Sequence, residues 1–163
     1  MLSRDCTNEE VPPFGAKRQT RRKRMGDGVA SIPQNHSQVS LKGMRILVVD
    51  DDRNTREMLG EILRLYDADV QTAESVIDAL TVYQIWRPTL LLSDMGMPGR
   101  DGYDLIRSIR ALPGGCATKA IAVTGYCKDE DRNSVLAAGF DMFLTKPVDL
   151  DQLINLIGAI DQN

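Results

Sequence analysis

The sequence predicts an α/β fold built on a doubly wound parallel sheet, on three observations. From Arg45 onward, short apolar runs alternate five times with stripes of helical spacing. The runs at 46–49, 90–92 and 120–123 are apolar at consecutive positions, as suits strands buried on both faces. Each run stops at polar or turn-forming residues, where a crossover must begin its return across the sheet.

The first run is Ile46-Leu47-Val48-Val49, ended by Asp50-Asp51-Asp52. Met58, Leu59, Ile62, Leu63 and Leu65 then form a helical stripe. Asn54 with Glu57 three residues on has the form of a capping box, and Asp52 is a competing cap. Residues 68–72 are a second strand. Val76, Ile77, Leu80 and Tyr83 mark a second helix, closed ahead of Pro88 because a proline disfavours helical backbone before it. Residues 89–93 are a third strand, with Asp94 at its carboxyl end and Gly96, Pro98, Gly99 and Gly102 in the turn beyond. Tyr103, Leu105, Ile106 and Ile109 pattern a third helix, stopped at Pro113-Gly114-Gly115. Residues 120–123 are a fourth strand, left through Thr124-Gly125. Residues 128–138 form a helix with a weak apolar face, stopped by Gly139. It is expected to be the most mobile element, with Arg132 and Val135 as exposed positions. Residues 141–144 are a fifth strand before Thr145-Lys146-Pro147, and Leu150, Leu153, Ile154, Ile157 and Ile160 pattern the last helix.

Residues 1–43 hold no sustained period and are rich in Ser, Pro, Gly, Asn, Gln and Arg, so they read as a disordered basic tail ahead of a domain at 44–163. Residues 1–44 carry eight Lys/Arg against four Asp/Glu, a net of +4, and the remainder is net −7. Six of the eight residues from Lys17 to Arg24 are basic, which suits contact with nucleic acid or another acidic surface. No aromatic residue is interleaved there, which favours a solvated linker. Met25 and Met44 offer alternative translation starts, and a start at Met44 would remove the tail.

Other classes are excluded by composition. No apolar run nears the ~20 residues needed to span a bilayer, so membrane insertion is not expected. No apolar stretch follows the N-terminal charges as in a secretory signal. Cys6, Cys116 and Cys127 have neither paired nor metal-type spacing, which points to a reducing cytoplasm and no disulfide framework. The sole histidine, His36, lies in the polar tail, against histidine metal sites, Ser-His-Asp triads and Cys-His pairs.

The chemistry lies at the strand ends. Asp50 and Asp51 follow the first strand, Asp94 the third, Thr124 the fourth and Lys146 the fifth. A parallel sheet gathers these ends on one edge, where open α/β sheets bind ligands. Crowded carboxylates call for a hard divalent cation, and Mg²⁺ suits one or two carboxylates plus a phosphate. Lys146 adds a point charge and Thr124 a hydroxyl donor. A carboxylate nucleophile, a metal and a cation are the equipment of phosphoryl transfer. Each residue also has a structural alternative: Asp50, Asp51 and Asp52 as helix caps, Asp94 as a turn former, Thr124 as a strand-end hydroxyl, Lys146 as a solvated loop lysine. Their convergence on one edge favours the chemical reading.

At residues 46–52, Ser93 to Gly102, Val123-Thr124-Gly125 and Phe143 to Pro147, the chain resembles the receiver domain of two-component response regulators, including receivers attached to hybrid histidine kinases. The resemblance implies a flavodoxin-like (βα)5 sheet of strand order 2-1-3-4-5. It implies Asp94 as phosphoacceptor and Asp51 as the main Mg²⁺-binding acid, with Asp50 assisting through water and the Gly96 carbonyl a further ligand. Lys146 would pair with Asp94 and then with the phosphoryl group, ahead of a cis bond to Pro147. Thr124 would be the switch hydroxyl and Phe143 the switch aromatic. Two departures bear on acyl-phosphate lifetime: Gly96 lacks the polar side chain of many relatives, and Tyr126 stands two residues after Thr124.

The implied function is a phosphorylation-activated receiver in a phosphorelay, not an enzyme. It would be charged by a histidine kinase or histidine phosphotransfer protein and act through an unidentified downstream protein. The chain ends soon after its last helix, so an output domain and DNA binding are not expected. Alternatives are a phosphotransfer intermediate, a detached hybrid-kinase receiver, or an aspartate-nucleophile phosphatase. The phosphatase usually needs a second acid two residues after the nucleophile, where this chain has Gly96. A nucleotide-binding domain would need a glycine-rich turn after the first strand, where this chain has three acids.

Overall fold

The computed structural model describes residues 39–125 and 129–161. Its elements are β1 (Arg45–Val49), α1 (Arg53–Leu65), β2 (Asp69–Ala73), α2 (Val76–Trp86), β3 (Leu90–Asp94), α3 (Gly102–Ala111), a 3-10 turn at Gly115–Ala117, β4 (Lys119–Thr124), α4 (Asp129–Ala138), β5 (Met142–Thr145) and α5 (Leu150–Asp161). The strands make one parallel sheet in the order β2-β1-β3-β4-β5, the flavodoxin-like order. The 3-10 turn has no counterpart in the sequence reading, and β3 extends to include Asp94.

Successive strand residues feed two cores. Ile46, Val48, Leu90, Leu92, Ile121 and Val123 pack with Leu59 and Leu63 of α1 and Leu153, Ile154 and Ile157 of α5. Leu47, Val49, Leu91, Ala120 and Ala122 pack with Val76, Ala79 and Tyr83 of α2, Leu105, Ile106 and Ile109 of α3, and Val135 of α4. A strand covered by helices on both sides must be apolar at every position, which is why these runs do not alternate.

The helix faces differ from expectation at four residues. Leu65 is 83% exposed, Ile77 66% and Met58 44%. Each is sequence-adjacent or nearly so to a buried residue, and a step of one or two residues turns a helical side chain off the inward face. Val135, expected at the surface, is buried with Phe140, whereas Arg132 is exposed as expected. A helix lying on a sheet must turn some face inward, and Val135 supplies apolar surface for it. Asp52, not Asn54, caps α1, accepting the Thr55 N–H at 2.7 Å from extended backbone. Glu57 instead holds Arg53 Nε at 2.7 Å on the exposed helix surface. Gly139 ends α4 as predicted, at φ +118°. Cys116 is disulfide-bonded, against the expectation of no disulfide framework. The basic run at 17–24 lies outside the described residues, among which no helix is long and apolar enough to cross a membrane.

Leu63→Ala should therefore cost about 2–5 kcal/mol in urea unfolding. Leu65→Ala, two residues on, should stay within about 0.5 kcal/mol. Equal losses would contradict the assigned α1 face.

Candidate functional site at the carboxyl edge of the sheet

The register sets the edge. Val49 pairs with Ser93, and Asp94 pairs with Val123, so Asp50 and Asp94 stand level at the ends of adjacent strands. Thr124 is one residue beyond that pair and is buried. Its carbonyl accepts the Lys146 N–H at 2.8 Å, which draws the residue after β5 over to the end of β4. From there the Lys146 side chain reaches back across β4. Its Nζ lies 3.0 Å from Asp94 Oδ1 and 3.3 Å from Asp50 Oδ2. The Asp50 and Asp94 side chains are 3% and 7% exposed.

Asp51 is exposed and completes the cluster. One oxygen from each of Asp50, Asp51 and Asp94 lies within 4.8 Å of the others. At about 4 Å and an effective dielectric near 20, one such pair repels by about 4 kcal/mol. A single ammonium shared between two of three carboxylates leaves the pocket anionic. Burial raises the Asp50 pKa above its ordinary 3.8, against the lowering effects of the Asp52 N–H and Lys146. Burial also disfavours the Lys146 charge, but the hydrogen bond to Asp94 and the charges of Asp50 and Asp94 outweigh it and raise its pKa. Asp52 belongs to the helix cap: the Thr55 hydrogen bonds lower its pKa, and it takes no part in the cluster. Three carboxylate oxygens converging on a partly open pocket fit a hard, oxygen-seeking cation such as Mg²⁺.

The remaining site residues flank this pocket. Gly96 is exposed, and a Cβ there would sit 3.7 Å from Asp94 Oδ2, so that side of the carboxylate is open. Phe143 on β5 is half-buried, with the Arg132 guanidinium 5.2 Å from its ring centroid. The Lys146–Pro147 bond is cis, as the resemblance implies. Tyr126 lies outside the described residues.

Two residues support the site in ways the sequence reading did not give: Arg56, which it did not single out, and Gly102, which it named only as a turn residue. Arg56 turns its guanidinium back on the acid-bearing turn, with Nη1 donating to the Asp50 carbonyl at 2.6 Å. At Gly102 a Cβ would fall 2.8 Å from the Asp94 carbonyl oxygen and 2.7 Å from Met95 Sδ, so only glycine lets α3 begin there undisturbed. A glycine at a first helical position was a usable signal for the second. Nothing in the sequence pattern showed where the Arg56 side chain turns.

The fold and pocket define a class: doubly wound α/β domains that gather acids and a lysine at the carboxyl edge of the sheet. Within it, the chain belongs to the response regulator receiver domain family, whose pattern it matches over residues 46–158. It is 45% identical over 118 residues to an uncharacterised 14.6 kDa protein in the sodA1 3′ region of Leptolyngbya boryana, covering 72% of this chain and 90% of that one. It is 36% identical over 126 residues to the sensor histidine kinase RcsC of Escherichia coli K12, covering 77% of this chain but 13% of the kinase. The crystal structure of a response regulator receiver protein from Pseudomonas putida superposes with a TM-score of 0.66 at 34% identity, over 71% of this chain and 96% of that one.

The Asp50 environment gives a signed prediction. Its raised pKa means that ionising it opposes folding. That cost grows as pH climbs past 3.8 and is complete above the raised value. Asp50→Asn should therefore raise the metal-free Tm at pH 7, with the gain shrinking on acidification. A lower Tm at pH 7 would contradict the assigned electrostatics.

Proposed function

We propose that this chain is a phosphorylation-controlled signalling receiver. It takes a phosphoryl group from a phosphohistidine of a histidine kinase or histidine phosphotransfer protein onto Asp94. It then signals from the cytoplasm by binding a downstream protein, without catalytic turnover of its own. The observation that carries this is the Asp94 carboxylate, held 3.0 Å from Lys146 Nζ beside the oxygens of Asp50 and Asp51.

In the transfer, an Asp94 oxygen attacks phosphorus. The phosphorus–nitrogen bond breaks, and its electron pair returns to the imidazole nitrogen. Mg²⁺, held by Asp50, Asp51, Asp94 and the Gly96 carbonyl, would supply positive charge to the phosphoryl oxygens. Lys146, already on Asp94, exchanges part of that contact for a phosphoryl oxygen. Thr124, at the end of β4, offers its hydroxyl to another. Phe143 carries no hydroxyl, so its response is steric and is read out on the α4–β5 face.

A relay role for the same pocket, passing the group on to a further histidine, is favoured by the 36% identity to the RcsC segment. The phosphatase reading finds no support at Gly96, which carries no acid beside Asp94.

Incubation of the full chain with Mg²⁺ and acetyl phosphate should add one phosphoryl group by intact mass. The adduct should not form when a chelator is present from the start, and should be absent from Asp94→Ala. No adduct in the wild type, or an equal one in Asp94→Ala, would overturn the proposal.

A further inference from the structure

Arg56 lies in the first turns of α1, yet its side chain is only 13% exposed. Its backbone N–H makes an ordinary helical bond to the Asp52 carbonyl at 3.0 Å, leaving the guanidinium for other work. Nη1 donates to the Asp50 carbonyl at 2.6 Å and lies 3.5 Å from that of Asp51. Nη2 lies 3.6 Å from Glu74 Oε2, just after β2, whose carboxylate is 71% exposed. One planar fork thus ties the turn that presents two pocket acids to the end of the neighbouring strand. It grips backbone oxygens, which leaves the carboxylates free to face the pocket.

We propose that Arg56 is a positioning residue for the cation site, holding the Asp50-Asp51 turn so that both carboxylates meet the oxygen of Asp94. This rests on reading the pocket as a Mg²⁺ site. Arg56 acts on that site in two opposed ways. Its hydrogen bonds preorganise the ligands, and its charge, close behind them, repels a cation. A lysine keeps the charge but lacks the fork that reaches a carbonyl and a carboxylate together. Arg56→Lys therefore isolates positioning from charge. Glu74→Gln weakens the far anchor and leaves the Asp50 bond in place.

The test is calorimetric titration of the full chain with Mg²⁺ alone, below the melting midpoint of every variant. Arg56→Lys should weaken Mg²⁺ binding by about ten- to a hundredfold, the range for lost supports behind metal ligands. Arg56→Gln should weaken it too, and Glu74→Gln by no more than about threefold. A purely structural arginine would lower the metal-free Tm in both Arg56 variants and leave Mg²⁺ affinity at the wild-type value. That result overturns the proposal, as does tighter binding in Arg56→Lys. Absent Mg²⁺ binding in the wild type would instead remove the reading of the pocket on which it rests.

Discussion

Lys146 spans two buried carboxylates, and the rest of the site depends on that bridge. Asp50 and Asp94 end adjacent strands, close enough that their charges oppose one another. The lysine that offsets them comes from beyond β5, on the far side of β4 from Asp94. Only a parallel arrangement brings all three to one edge. The strand order sets β1 beside β3, which places their terminal acids near enough to share a cation.

Holding like charges together needs a frame that does not yield. The two apolar layers on either side of the sheet provide it, and dense interiors transmit strain instead of absorbing it. Glycine at 102 lets α3 start against the Asp94 carbonyl, while Arg56 grips the opposite turn by its backbone. The pocket keeps an anionic balance even with Lys146 in place. That balance suits a divalent cation first and, with the cation bound, a phosphoryl group. Leaving Gly96 without a side chain keeps one flank of Asp94 open.

Much of this was legible in the sequence because burial on both faces writes strands as unbroken apolar runs. The ends of those runs then name the edge residues: Asp50, Asp94, Thr124 and Lys146 need only the parallel topology to be placed together. The family resemblance supplied their order across the sheet. Less legible were features set by a side chain's direction rather than its type. Leu65 and Ile77 look like core residues by composition but are turned outward by their helical phase. Val135 shows the reverse, since a poorly apolar helix still has to bury one side. Asp52 and Asn54 were rival caps by spacing, and the backbone leaving β1 decided for Asp52. Arg56 carries no motif at all, because its partners are carbonyls, and any residue supplies those.

In the proposed transfer the pocket directs a phosphoryl group to a single strand-end carboxylate. Reducing the phosphorylated chain with borohydride converts an acyl phosphate to a homoserine residue, and peptide mass mapping then locates it. Conversion is expected at Asp94 alone. Conversion at Asp50, Asp51 or any other acid, with Asp94 intact, would contradict it.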